Sequence, residues 1–182
     1  HVKPRDIDWA HSYLDSGRVD GFVVMTGTYK PTHVKALAEM KAPFIAWGVP
    51  LPDLSYCSVT GDNFNGGKLA TEHLLQNGRQ KIAFLGGPAD ELEVQRRYDG
   101  YAAGMKEAGL EVVQKRVGYG DFSTESSAAT MRQLLVSSPD LDAVFVNSYL
   151  MAMSAMDALR ASGRRVPEDV AVIGYDNLSI AE

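Results

Sequence analysis

Short runs of consecutive apolar residues alternate along this chain with segments in which apolar residues recur every three or four positions. The runs are rich in β-branched and aromatic side chains, and they predict strands at residues 21–25, 43–47, 56–59, 81–85, 143–146 and 170–173, with a weaker strand at 114–119. Strands that alternate with helices are typical of an α/β protein with parallel sheets. Because the runs are continuous, we expect both faces of the sheets to be covered.

Each intervening helical segment is expected to bury one apolar face. The predicted faces are Leu69, Ala70, Leu74 and Leu75; Leu92, Tyr98, Ala102 and Met105; Met131, Leu134 and Leu135; and Leu150, Met153, Met156 and Leu159. The glycines that should end helices are Gly17, Gly78, Gly109 and Gly163. The methionines between residues 151 and 156 are expected in the core or at a subunit interface.

Composition narrows the functional classes. The chain has 182 residues, with 18 Lys and Arg against 23 Asp and Glu, for a net charge of −5. The chain therefore has no net positive charge that would attract the phosphates of nucleic acid, so any contacts with DNA would be made mostly by residues outside this chain. The apolar runs are far shorter than the roughly 20 residues of a membrane span. Cys57 is the one cysteine, so no internal disulfide is possible.

The usual signatures of catalysis and of cofactor binding are missing from the sequence. The four histidines show no HxxxH spacing and there is no CxxC pair, so we expect no metal site. A GxSxG motif is lacking too, and Gly86 and Gly87 follow a strand without completing GxGxxG or a P-loop. We therefore expect a protein that is not an enzyme and holds no cofactor.

Polar and aromatic residues cluster instead after the predicted strands, where the ligand crevice of a parallel sheet lies. They are Thr26, Trp47, Arg97, Asp121, Phe122, Ser123, Asn147, Ser148, Tyr149, Tyr175, Asp176 and Asn177. Aromatic walls, hydrogen-bonding side chains and one arginine suit a polyhydroxylated ligand such as a sugar. Each residue also has a plainer interpretation: Asp121, Ser123 or Thr124 as a helix cap, Asp176 as a turn residue, and Arg97 as a surface partner of Glu93.

Several motifs resemble the LacI/GalR family of bacterial transcription regulators. They are RVDGFVV at residues 18–24, VTGDN at 59–63, GG at 66–67, ATEHLL at 70–75, KIAFLGGP at 81–88, GDFS at 120–123 and VPEDVAVIGYDN at 166–177. They occur in the family's order across almost the whole chain. The resemblance implies an effector-binding core of the periplasmic-binding-protein type, with two Rossmann-like lobes. Residues 1–61 would then form part of the N-terminal lobe, and residues 62–182 an incomplete C-terminal lobe.

The same resemblance implies a ligand arginine at Arg97, an aromatic wall at Phe122 and a hydroxyl acceptor at Asp176. Four positions depart from the family. Its Asn-Asp pair is replaced by Ser148 and Tyr149, an acidic residue after the second strand is replaced by Gly48 beside Trp47, and a histidine is replaced by Arg79. Two carboxylates are thereby lost, so the resemblance does not determine which sugar would bind. Trp47 and Tyr149 would either stack on the sugar or simply pack against the protein.

By this resemblance the chain is the effector-binding and dimerisation core of a sugar-responsive regulator, usually a repressor. It would act in the cytoplasm as a homodimer, away from membranes, and would bind operator DNA through a helix-turn-helix upstream. The chain opens at His1, as expected of an internal piece of a longer protein. The alternative is a periplasmic sugar-binding protein that serves a transporter.

Overall fold

The fold was analysed in a computed structural model that describes residues 8–27, 31–52 and 54–176. Its backbone contacts divide the chain into two compact units, His1–Gly61 and Asp62–Glu182. Both contain parallel sheets with helices between the strands, so the α/β class predicted from the sequence is confirmed. No helix of the described residues has both the length and the hydropathy needed to cross a membrane.

The first unit contains a three-stranded parallel sheet in the order β1-β2-β3. Its elements are α1 (Asp8–Asp15), β1 (Phe22–Met25), α2 (Pro31–Glu39), β2 (Phe44–Trp47) and β3 (Ser58–Val59). The main buried cluster of this unit is formed by Ala10, Val24, Val34 and Leu37, which join one face of the sheet to the two helices. Alternate strand residues point the other way, and 76% of Val23 is exposed. The expectation that both faces are covered is therefore wrong for this sheet within the described residues.

The second unit contains a four-stranded parallel sheet in the order β5-β4-β6-β7. Its elements are α3 (Asn63–Gln76), β4 (Ile82–Gly86), α4 (Leu92–Glu107), β5 (Val117–Tyr119), α5 (Thr124–Ser137), β6 (Ala143–Val146), α6 (Tyr149–Ala161) and β7 (Ala171–Ile173). Every residue of β4 and β6 is buried, as the continuous apolar runs predicted for these two central strands. The weak strand predicted at 114–119 begins instead as a turn of 3₁₀ helix, Gln114–Arg116.

Three of the predicted helix faces need correction. On α4, Met105 is buried as expected, but Val94 and Tyr101 complete the buried face, and the predicted Leu92, Tyr98 and Ala102 are only half-buried. On α3, Ala70 and Leu74 are buried, whereas 55% of Leu69 is exposed. On α6 the buried face is formed by Met151, Ala152, Ala155, Ala158 and Leu159, whereas Leu150 and Met153 are exposed. Small alanines allow α6 to pack closely on the sheet, so the larger side chains were a misleading guide to the buried face. The four helix-ending glycines were predicted correctly, because all have positive φ.

Helices α3 and α4 pack against each other through glycine. A β-carbon at Gly100 would overlap the Phe64 carbonyl oxygen and come within 2.7 Å of the Lys68 nitrogen. A β-carbon at Gly67 would overlap the main chain of Arg97. Since only glycine permits such close backbone approach, this crossing sets the position of Arg97 relative to the start of α3.

Candidate functional site

The carboxyl edge of the second sheet brings together most of the residues expected to bind a ligand. Asn147 and Ser148 follow β6, and residues 174–176 follow β7. Gly87 follows β4, and Phe122 lies three residues beyond β5. The strands are parallel and adjacent, so the loops after them share one edge of the sheet, as in other open α/β folds that bind ligands there.

Arg97 lies at the centre of this edge. Its Nε donates a hydrogen bond to Oδ1 of Asn63 (2.8 Å), and its Nη1 donates to the carbonyl of Asn147 (2.6 Å). The guanidinium carbon lies 3.6 Å from the centroid of the Tyr175 ring, within the range of a cation–π interaction. Arg97 is therefore a half-buried residue held by three neighbours, and the prediction that it is merely a surface partner of Glu93 does not describe these contacts.

Burial lowers the pKa of Arg97, and the nearby Tyr175 and Asp176 oppose that shift. Arginine stays protonated despite such shifts, so the site holds a permanent cation in a partly desolvated position. Its planar donors suit carboxylate, phosphate or sugar hydroxyl oxygens.

Phe122 and Asp176 share an unusual backbone conformation. They are the two non-glycine residues with positive φ among the described part of the second unit, at 67° and 70°. Residues held in this region often belong to functional sites, because the surrounding structure must stabilise a disfavoured conformation. The ring of Phe122 lies so close to Gly87 that a β-carbon there would overlap it. Phe122 is 42% exposed, so its ring is available to a ligand.

Ser148 and Tyr149 begin α6. The hydroxyl oxygen of Ser148 accepts a hydrogen bond from the Met151 nitrogen and so caps the helix (3.3 Å). Tyr149 is the first helical residue and is half-buried. The cap interpretation also applies at Ser123, which accepts from the Ser126 nitrogen at the start of α5.

Thr26 and Trp47 belong to the first unit, where the pairing of β1 with β2 places them side by side. The Thr26 nitrogen donates to the Trp47 carbonyl at 3.0 Å. Trp47 is 56% exposed, and its ring stands on the face of the sheet opposite to the core. Asn177, the last residue of the predicted strand-end group, lies outside the described residues.

Asn63 contacts Arg97 but was not among the candidates chosen from the sequence, where it looked like a family motif residue at the start of a helix. Asn147 and Tyr175 were in the predicted strand-end group, but the sequence did not show that they contact Arg97. The spacing of a single chain cannot show that α3 and two strand ends meet at one guanidinium. Among the described residues, no group of three acidic, histidine or cysteine side chains is placed to hold a metal ion.

An arginine, an exposed aromatic ring and a carboxylate lie at the carboxyl edge of a parallel sheet, which is where α/β domains that bind small molecules hold their ligands. The family model for periplasmic binding proteins and the sugar binding domain of the LacI family matches residues 4–182. The chain belongs to this family.

Curated relatives and solved structures agree with that assignment. The chain is 42% identical over 172 residues to the HTH-type transcriptional regulator CelR of Thermobifida fusca, covering 93% of this chain and 51% of CelR. It is 34% identical over 168 residues to the repressor PurR of Mannheimia succiniciproducens, covering 91% and 50%. The chain thus spans about half the length of these relatives, both of which are transcription regulators.

Two solved structures show the same architecture. A complex of the transcriptional regulator CelR with cellobiose superposes with a TM-score of 0.87 at 40% identity, covering 96% of this chain and 54% of that one. A LacI-family regulatory protein from Chloroflexus aggregans superposes with a TM-score of 0.90 at 32% identity, covering 100% and 66%.

Proposed function

We propose that this chain is the effector-binding core of a sugar-responsive transcription regulator. The observation that carries the proposal is the partly buried guanidinium of Arg97, held at the carboxyl edge of the second sheet next to Asp176. In this proposal the two units are parts of the N-terminal and C-terminal lobes, divided after residue 61. The protein has no catalytic role and acts in the cytoplasm, where its operator lies.

The proposed effector is a sugar, and cellobiose is the first candidate because a regulator 40% identical to this chain forms a complex with it. Arg97 would donate to hydroxyl oxygens, Asp176 would accept from hydroxyl groups, and Phe122 would stack on the apolar face of the ring. Ser148, Tyr149, Trp47 and Thr26 are proposed as further contacts. The Ser148 hydroxyl oxygen accepts the hydrogen bond that caps α6, so its hydrogen can still be donated to the sugar.

The proposed mechanism is a shift in conformational populations. Operator DNA is bound by a helix-turn-helix domain outside this chain, and the effector favours one arrangement of the core over another. The change in operator affinity is limited by the effector's differential affinity for the two arrangements.

Replacing Arg97 tests this proposal. In the complete parent protein, we expect Arg97→Ala to abolish the rise in melting temperature that cellobiose causes, while the circular dichroism spectrum stays that of the wild type. The matched control is Arg96→Ala, since Arg96 is the exposed neighbour on the same helix. An Arg97→Ala protein that binds cellobiose as the wild type does would contradict the site assignment.

Operator binding separates the two candidate functions. A regulator shifts its cognate DNA when the parent protein is tested by electrophoretic mobility, and cellobiose changes that shift. A transport receptor binds the sugar but no operator, and that result would replace the regulator with the periplasmic alternative.

We further propose that the parent protein is a dimer and that the exposed side of α6 contributes to its interface. Leu150 and Met153 are 55% and 40% exposed. A groove of about 500 Å³ lies between α5 and α6, and its lining includes Ser154 and Asp157 of α6. Exposed apolar residues that form one patch are found at subunit contacts, and Leu150 and Met153 are three positions apart on α6.

The expected result of Met153→Asp is dissociation to monomers in sedimentation velocity, because a carboxylate would be desolvated at the interface. Val136→Asp is the control, since Val136 is an 83% exposed apolar residue on α5. A Met153→Asp protein that still sediments as a dimer would exclude this side of α6.

A further inference from the structure

Asn147 is a polar residue in a fully buried position. It follows the last residue of β6 and has 0% exposure. Its main-chain nitrogen donates to the Leu85 carbonyl, and its carbonyl accepts from Arg97. Its side-chain amide is different: among the described residues, neither Nδ2 nor Oδ1 has a hydrogen-bond partner.

Strand alternation indicates the side of the sheet on which this amide lies. Phe145 packs with the cluster that includes Tyr101 of α4, and Val146 packs with the opposite cluster that includes Met151. Continuing the alternation places Asn147 on the side of α3 and α4, which is also the side from which Arg97 reaches the Asn147 carbonyl.

A buried amide without partners is unfavourable, because folding strips it of water and returns no hydrogen bond. An apolar residue of similar volume would be more stable at this position. Buried polar groups left in this state therefore call for a functional explanation. The location of Asn147 supplies one, since it lies at the carboxyl end of a central parallel strand, in direct contact with the proposed ligand arginine.

We infer that Asn147 is a further effector-binding residue, whose amide forms its hydrogen bonds only in the effector-bound state. This inference rests on the proposed function. The amide is shielded from solvent, so a neighbouring side chain must move before a ligand can reach it. Arg97 is hydrogen-bonded to the same residue, and turning its guanidinium toward the sugar would open the approach. An effector hydroxyl, which both donates and accepts, would then satisfy the amide.

The arrangement couples binding to conformation. In the effector-free state the unpaired amide raises the free energy of the protein, and in the bound state the effector's hydrogen bonds remove that penalty. A difference of this kind between two states is what allows a ligand to shift their populations.

The test uses the complete parent protein with cellobiose as the probe. Asn147→Leu keeps the volume and removes the polar atoms, and Asn147→Ala is the second variant in case leucine does not fit. Without sugar, we expect at least one of them to melt at the wild-type temperature or about 2 °C higher. By isothermal titration calorimetry we expect both to bind cellobiose about tenfold more weakly, the loss of roughly one good hydrogen bond.

Ser138→Ala is the matched control. The Ser138 hydroxyl is also fully buried and has no partner among the described residues, but it precedes β6 and so lies at the opposite end of the sheet. This variant should gain stability and bind cellobiose with unchanged affinity.

The outcomes are distinguishable. If both Asn147 variants melt several degrees below the wild type, the amide is already bonded without effector and the inference is overturned. Equal cellobiose affinity in wild type and variants also overturns it, while leaving the proposed function intact. A wild type that binds neither cellobiose nor other saccharides, such as glucose and maltose, contradicts the proposed function itself, and the Asn147 inference is rejected with it.

Discussion

The crossing of α3 and α4 offers a sharp test of how this fold positions its arginine. In Gly100→Ala the new methyl group would overlap the Phe64 carbonyl and lie 2.7 Å from the Lys68 nitrogen, where ordinary contact begins at 3.4 Å. Both neighbours are main-chain atoms, which cannot rotate away. The Lys68 contact alone requires the helices to separate by about 0.7 Å at this point, and the closer overlap with the Phe64 carbonyl requires more.

Two opposing effects set the magnitude. Alanine is favoured over glycine inside a helix by about 1 kcal/mol. Forcing a methyl group into a packed crossing costs about 1–3 kcal/mol, and rigid backbone places this case at the upper end. We expect a net loss of about 1–2 kcal/mol, which lowers the melting temperature by about 2–8 °C for a chain of this size.

The geometry of the proposed binding site should change as well. The hydrogen bond from Arg97 to Asn63 joins the same two helices at 2.8 Å. A separation of about 0.7 Å would stretch it to about 3.5 Å, where little hydrogen bonding remains. Effector binding is therefore expected to weaken together with stability.

Thermal unfolding followed by circular dichroism and cellobiose titration measure the two effects. Gly104→Ala is the matched control one turn along α4, because its methyl group would meet the Thr71 side chain at 3.1 Å and the Lys68 carbonyl oxygen only at an ordinary 3.5 Å. We expect it to be close to neutral in both assays. Equal stability of the Gly100→Ala and Gly104→Ala proteins would refute the close approach of the two backbones.

Two further predictions concern the Phe122 ring of the site and the stability of the protein at low pH. Gly87→Ala should displace the Phe122 ring and weaken cellobiose binding about tenfold in calorimetry, and unchanged affinity would remove Phe122 from the site. The hydrogen bonds and charge of Arg165 hold the pKa of Asp169 well below its ordinary value of 3.8. Their contribution to stability is therefore complete above about pH 4 and is lost as the pH falls toward the depressed folded pKa. Urea midpoints of wild type and Asp169→Asn should differ at pH 7, and the gap should begin to narrow only as the pH falls below about 4, whereas a pH-independent gap would refute the assignment.

Local pattern predicted much of the second unit because its two central strands are covered on both faces. The continuous apolar runs that became β4 and β6 match what a central parallel strand requires, since such a strand buries every residue. The same logic failed for β1 and β2, whose alternate residues are exposed among the described part of the chain. An apolar residue in a strand indicates its propensity but does not show what covers it.

The helix faces show a related limit. Leu150 and Met153 have the spacing of a buried stripe, but the alanines beside Met151 form the face that packs on the sheet. Hydrophobic periodicity identifies helical segments well, and it discriminates poorly between two apolar faces of one helix.

The sequence by itself determined the alternation of strands and helices, the family, and the positions of Arg97, Phe122 and Asp176 after or between particular strands. These follow from local propensity and from motifs that lie within a few residues of each other. The tertiary structure decided that Asn63, Asn147 and Tyr175 surround the guanidinium, and that Gly67 and Gly100 hold α3 and α4 close enough to place it there. Those contacts join residues that are 30 to 80 positions apart, and only the folded packing of helices against a shared sheet brings such residues within hydrogen-bond distance.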